Sequence, residues 1–229
     1  MAKHTRVTLE MGPKGKKVVA VAPDWPGLER GAKTGEAAIE RLHSYLPRYA
    51  QVAKLAEMDA EFERVRKLDV VEQYPGTGST DFWGISFAFS SIDRQGMSGH
   101  ELDRELRLMQ ACWAFFDDVR RRVSAEMQKG PRGGGRERDH IVRHTLYTEQ
   151  GWAKMIGVLT PEEALLTAKG LKAHRAAYCR AIRDYHAQGK PAGKMAKWPL
   201  RFLIRHTAFH TMDHAWEMED RDLTPTRRG

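Results

Sequence analysis

The spacing of hydrophobic and polar positions changes near residue 95 of this chain. Upstream, apolar and polar residues alternate: in His4–Met11, Val7 and every second residue after it share one face, which predicts a strand. A turn rich in Gly, Pro and Lys follows over residues 12–17. The unbroken apolar run Val18–Ala22 then predicts a second, more buried strand, so the two strands should form a hairpin.

Further short elements are predicted in the same N-terminal part. Leu28–Lys33 is a candidate third strand, and Thr34 is a candidate N-cap for a helix that follows it. Leu68–Tyr74 and Gly84–Phe89 have the composition of additional strands. These patterns predict a small α/β unit over residues 1–92.

Downstream, four segments have the length and apolar periodicity of helices. Ser98 and Glu101 form a capping-box pattern at the start of the first segment. The third begins at Thr160, the expected N-cap, with proline at the first helical position. The other boundaries predict helices over about 139–158, 161–187 and 198–220. Residues 93–229 should therefore form a four-helix bundle, and the whole chain an α+β protein.

Composition narrows the classes of protein. The chain has 229 residues, 41% of them hydrophobic, which is enough apolar material for a packed core. Two cysteines exclude a disulfide scaffold and a four-cysteine zinc site. The net charge of +8 permits an anionic partner, but the basic runs lack a nucleic-acid motif, so we do not expect nucleic-acid binding. Because neither a membrane-length apolar run nor a secretory signal is visible, the expected setting is cytoplasmic, without a membrane partner.

The candidate chemistry lies in the histidines of the last helix. His206, His210 and His214 are spaced four residues apart and so share one face, which otherwise carries apolar residues and should point inwards. Two such imidazoles can bind one metal ion, and spacing alone allows either 206/210 or 210/214. The third ligand must come from a facing helix, where His144 is the best candidate because it lies on an apolar stripe. Three imidazoles leave a coordination position open, as in catalytic sites. Buried histidines with satisfied hydrogen bonds are the alternative.

The segment His206–Arg221, together with residues 142–150, resembles the DinB/YfiT-like superfamily of four-helix metalloproteins. The resemblance implies one histidine on the second helix and a His-x3-His pair on the fourth. Because Ala215, Trp216 and Glu217 follow His214 as in the family motif, it implies the ligand set His144, His210 and His214, with His206 as a neighbour. It also implies the family's up-up-down-down bundle.

The segment Ala20–Leu46 is similar to the HicB-like antitoxin fold, in which a strand, a Pro-Gly turn and a short strand lead into a Thr-capped helix. This resemblance implies a HicB-like module over residues 1–92. Because no DNA-binding segment follows it, a toxin-neutralising role is not expected.

Other polar residues could support the site. Asp213 and Glu217 offer carboxylates near His214 that could orient its ring. His174 and Tyr178 are one turn apart on the third helix and could face the same cavity, although hydrogen-bonded core residues are the simpler interpretation.

The DinB-like resemblance implies a metal-dependent enzyme acting on a small molecule. The expected cofactor is a divalent ion of zinc, nickel, iron or manganese. The expected reaction is hydrolysis, or S-transfer with a low-molecular-weight thiol such as mycothiol or bacillithiol as cosubstrate. The alternative is a non-catalytic metal- or ligand-binding module in stress response or protein interaction. The oligomeric state is left open, a homodimer included.

Overall fold

The computed structural model describes residues 3–130, 135–189 and 198–224, and it shows a mixed α+β chain, as predicted. The strands in these ranges are β1 (Lys3–Met11), β2 (Val18–Val21), β3 (Glu29–Ala32) and β4 (Val65–Pro75). The helices are α1 (Gly35–Ser44), α2 (Leu46–Leu55), α3 (Asp59–Phe62), α4 (Gly78–Trp83), α5 (Gly99–Arg122), α6 (Arg138–Met155), α7 (Glu162–Leu165), α8 (Ala168–Gln188) and α9 (Leu200–Asp220). None of these helices combines the length and the apolar character that a membrane crossing requires.

The four strands form one sheet in the order β3-β2-β1-β4. The predicted hairpin is present: β1 and β2 pair antiparallel, and the N–H of Gly12 donates to the carbonyl of Lys17 at 2.9 Å. Thr34 caps α1 as predicted, since its hydroxyl accepts from the N–H of Ala37 at 3.2 Å. β4 pairs with β1 in the parallel direction, so it returns to the sheet after the helices α1 to α3.

The predicted strand Gly84–Phe89 is wrong, because this segment has no strand structure. Its polar groups serve the carboxylate of Glu10, which lies on β1 and is fully buried. The N–H groups of Phe87 and Ala88 donate to that carboxylate at 3.0–3.1 Å, and the hydroxyl of Ser86 donates at 2.7 Å. N–H groups that bind a buried carboxylate cannot extend a strand ladder at the same time.

Glu10→Gln should lower the free energy of unfolding by about 1.5–3 kcal/mol. The amide keeps the volume but replaces one acceptor oxygen with a donor that faces the N–H groups of Phe87 and Ala88 and the hydroxyls of Ser86 and Thr80. Urea unfolding followed by circular dichroism measures the loss. Glu40→Gln, at an exposed glutamate, is the matched control, and equal stability of the two variants would contradict the assigned role of Glu10.

Two helix starts were predicted with different success. The capping box of α5 is confirmed, since the Ser98 N–H donates to the Glu101 carboxylate at 2.8 Å and the Glu101 N–H donates to the Ser98 hydroxyl at 3.2 Å. The single third helix is wrong, because the chain forms α7 and α8 there. Thr160 is not the N-cap of either helix. The cap of α8 is Thr167, whose hydroxyl accepts from the N–H of Gly170 at 3.0 Å.

Gly170 permits the close approach of the start of α8 to the end of α7. A Cβ built at this position would lie 2.1 Å from the carbonyl oxygen of Ala164 in α7, far inside van der Waals contact. Only glycine therefore lets the first turn of α8 approach the end of α7 this closely.

The chain divides into two compact units. Unit 1 comprises Met1–Cys112 and Trp198–Phe209, and unit 2 comprises Trp113–Lys197 and His210–Gly229. The helices α5 and α9 supply residues to both units. The division of the chain into a 1–92 module and a 93–229 bundle stays a prediction.

Unit 2 contains residues of the four long helices α5, α6, α8 and α9. Polar side chains connect these helices. Arg175 of α8 donates to Glu149 of α6 at 3.2 Å and to Asp117 of α5 at 2.7 Å. Arg122 of α5 forms an ion pair with Glu219 of α9. The helices α6 and α9 contact each other through three histidines and Trp152.

Candidate metal centre

Three histidine rings meet in unit 2. His144 comes from α6, and His210 and His214 come from consecutive turns of α9. The ring centroids lie 4.5 Å apart for 210/214, 4.9 Å for 144/214 and 5.2 Å for 144/210. One nitrogen from each ring lies within 4.8 Å of the other two. Within the described ranges, this is the single group of three or more His, Cys, Asp or Glu side chains with such a geometry.

This donor set fits a divalent metal ion. Imidazole nitrogen binds zinc and related first-row ions at about 2.0–2.1 Å, and three histidines are a familiar catalytic set. One nitrogen from each ring lies close enough to the other two for a single ion to be held by all three. His214 is 9% exposed, while His144 and His210 are half-buried, so the cluster lies at the edge of the interior.

Glu217 orients the ring of His214. The His214 Nδ1 lies 2.7 Å from a carboxylate oxygen of Glu217, which is one turn further along α9. Burial raises the pKa of Glu217, but the hydrogen bond from His214 and the charges of His214 and Arg221 outweigh burial and lower it overall. The ionised carboxylate accepts the Nδ1 proton, which leaves Nε2 as the ligating atom. Arg221 completes the chain by donating to Glu217 at 3.0 Å and to the carbonyl of Gln128 at 2.9 Å.

The other two rings have neighbours that set the charge of His144 and restrain the orientation of His210. Burial lowers the pKa of His144 to about 4, and the positive charges of His214 and Arg136 lower it in the same direction. Its ring is therefore neutral at pH 7, as a metal ligand must be. The ring of His210 meets Trp152 edge to face at 5.1 Å, which limits its rotation.

Of the three rings, that of His144 borders an open depression on the surface of α6. A cavity of about 450 Å³ is lined by His140, Arg143, His144, Tyr147 and Thr148. A small molecule in this cavity would reach the ring of His144 directly.

Among the predicted supporting residues, Glu217 contacts the cluster directly, through the ring of His214. Asp213 is half-buried on α9 and is not part of the three-histidine group. His206 is also outside it: the residue belongs to unit 1, is 1% exposed, and stacks on Phe202 with centroids 5.0 Å apart. Burial, and then the charge of Arg205, lower its pKa to about 3, so the ring is neutral.

His174 and Tyr178 lie in the interior of unit 2. The His174 Nδ1 is 2.8 Å from the hydroxyl of Thr160, and its Nε2 is 3.7 Å from the Glu149 carboxylate. Tyr178 is fully buried, with its ring 6.2 Å from that of His174. Both residues are buried, but His174 Nε2 has no hydrogen-bond partner among the described residues, so the interpretation as fully hydrogen-bonded core residues stays a prediction.

Sequence reasoning missed Arg221, Arg143 and His140. The spacing of four between Glu217 and Arg221, and between His140 and His144, was a usable signal, because such pairs share a helix face. Arg143 carried no such signal, because only its position in the lining of the cavity marks it.

Glu217→Gln should weaken metal binding by about 10- to 100-fold, as expected when the partner of a ligating histidine is altered. The amide presents either a weaker acceptor or a donor to Nδ1 of His214, so the required tautomer is less favoured. Titration of the metal-free protein with Co²⁺, followed by visible absorption, measures the affinity. Glu126→Gln, at an exposed residue, is the control, and equal affinities in both variants would contradict the role of Glu217.

No family model, no curated protein and no solved structure matches this chain. The case for its function therefore depends on the site itself and on the resemblance in its sequence.

Proposed function

We propose that this chain is a metal-dependent enzyme of the DinB-like superfamily, with one divalent ion bound by His144, His210 and His214. The observation that carries the proposal is the meeting of these three rings, with a carboxylate behind one of them and a cavity beside another. In this proposal the four long helices form the family's up-up-down-down bundle, and residues 1–92 form a HicB-like module. A cytoplasmic location is part of the same proposal.

A bound divalent ion supplies Lewis acidity, which lowers the pKa of a coordinated water or thiol at neutral pH. The side chains around the ion would supply the ligands, their orientation and the space for a substrate. The pKa of His144 is lowered to about 4, so this ring is neutral, and the Glu217–Arg221 pair holds the proton of His214 on Nδ1. The cavity beside His144 admits a small-molecule substrate. This arrangement supports hydrolysis, or S-transfer with a low-molecular-weight thiol.

The test begins with protein purified without a histidine tag. Elemental analysis should find about one equivalent of zinc, nickel, iron or manganese per chain, and the metal should leave on chelation and return on dialysis. Ester hydrolysis and transfer of small thiols to an electrophilic aromatic halide are then assayed on the loaded and metal-free forms. Activity in the loaded form alone supports the enzyme. A stoichiometric metal without exchangeable ligand or turnover would instead favour a non-catalytic metal-binding module, and protein that cannot be loaded would refute the metal site.

A further inference from the structure

The cavity beside the histidine cluster is lined by basic and uncharged side chains. Of the five residues that line it, Arg143 is permanently cationic, His140 carries an imidazole ring, and Tyr147 carries a hydroxyl donor. The hydroxyl of Thr148 donates to the carbonyl of His144 at 2.8 Å. No carboxylate contributes to the lining among the described residues.

The acidic residues that precede this stretch of α6 are engaged elsewhere. Glu137 forms an ion pair with Lys129 and accepts from the N–H of Met127 at 2.8 Å. Asp139 accepts from Arg138 at 2.8 Å. Glu217 holds His214 and Arg221. These three carboxylates are therefore committed to other partners, and the charge of Arg143 can serve a ligand.

Helix α6 places the cationic side chain of Arg143 next to the candidate metal ligand His144. His140 lies one turn before His144 on the same face of α6, and Arg143 is turned by about 100° from His144. Arg143 can thus flank a molecule that reaches the histidine cluster without approaching the cluster itself.

We infer that the substrate or cosubstrate of this site carries an anionic group, a carboxylate or a phosphoryl group, which Arg143 binds while the reacting atom lies at the three histidines. The inference depends on the proposed metal site and adds the charge of its ligand. Arg143 acts as a specificity-determining residue, because a guanidinium pairs with both anions through two parallel hydrogen bonds.

The test uses full-length protein loaded with Co²⁺, whose visible spectrum reports on new ligands. Two matched pairs are titrated: N-acetylcysteine against its neutral methyl ester, and methylphosphonate against its neutral dimethyl ester. In the wild type, at least one anionic member should bind about tenfold more tightly than its neutral partner. This preference corresponds to about 1.4 kcal/mol. The pair that shows the preference identifies the carboxylate or the phosphoryl group.

Arg143→Gln should abolish this preference while leaving cobalt binding unchanged, and Arg143→Lys should retain part of it. Arg180→Gln, at an exposed arginine of α8, should behave as wild type. Equal binding of anionic and neutral members by loaded wild type would overturn the inference and leave the metal site standing. An Arg143→Gln variant that weakens both members equally would also overturn it. Failure to bind cobalt would instead overturn the proposed function.

Discussion

Replacing Arg205 by methionine is expected to lower the free energy of unfolding by about 3–5 kcal/mol, the usual cost of removing one partner from a buried ion pair. Arg205 is 2% exposed and donates twice to Asp93, at 2.6 and 2.8 Å, and once to Glu29 at 2.8 Å. Both carboxylates are almost fully buried. Burial already raises the pKa of Glu29 to about 7 although Arg205 opposes it, so the loss of the cation would leave this group still less able to ionise.

Equilibrium urea unfolding at pH 7.5 measures the effect. Arg107→Met, at an exposed arginine, is the control and should change stability by less than about 0.5 kcal/mol. Adding Glu29→Gln and Asp93→Asn to the Arg205→Met chain should recover part of the loss, because the penalty comes from the carboxylates left without a cation. If the Arg205→Met variant is as stable as the control, the ion pairs of Arg205 do not contribute the expected stability.

The sequence predicts those parts of the fold that depend on neighbouring residues. Alternation in β1, the turn before β2 and the caps at Thr34 and Ser98 are local signals, and each is confirmed. The segment 84–89 has the composition of a strand, but its N–H groups bind Glu10, which lies more than seventy positions earlier. No local pattern contains that partner.

In the candidate site and among the buried charges, too, local signals can be recognised in the sequence whereas distant partners cannot. His210 and His214 could be paired from spacing, because one helix fixes both. His144 could be placed opposite them only through an apolar stripe and a resemblance, and the structure brings its ring within 5.2 Å of both. Arg205 reads as an ordinary charged residue next to a histidine. Its buried partners Glu29 and Asp93 are distant in the chain, so nothing in the sequence marks it as an interior cation.

His206 and His214 should respond in opposite ways to substitution, although spacing treats them alike. His206 packs among aromatic rings, with Phe87 at 4.7 Å and Phe202 at 5.0 Å, and it belongs to unit 1. His214 lies in the three-histidine group and has its Nδ1 held by Glu217. One substitution therefore removes core packing, and the other removes a candidate ligand.

For His206→Ala we expect a loss of about 2–4 kcal/mol of stability in the metal-free protein, since truncating a buried ring leaves a cavity. The stoichiometric metal should remain, and so should the stabilisation that the metal adds. That gain is about 4 kcal/mol when the free ion is a thousandfold above its Kd. For His214→Ala and His210→Ala we expect the reverse: a small change in the metal-free protein, and neither bound metal nor metal-induced stabilisation.

Unfolding curves of each variant with and without Zn²⁺, together with elemental analysis, separate these effects. His206→Leu fills most of the volume and keeps the comparison valid if the alanine variant does not fold. His100→Ala, at an exposed histidine of α5, is the control and should keep both the stability and the metal. Two turns of helix span about 11 Å, so one ion cannot bind all three histidines of α9, and the experiment must select a pair. Loss of the metal in His206→Ala with retention in His214→Ala would identify His206 and His210 as the pair. It would then refute both the ligand set and the role of Glu217, because the residue that Glu217 holds would not be a ligand.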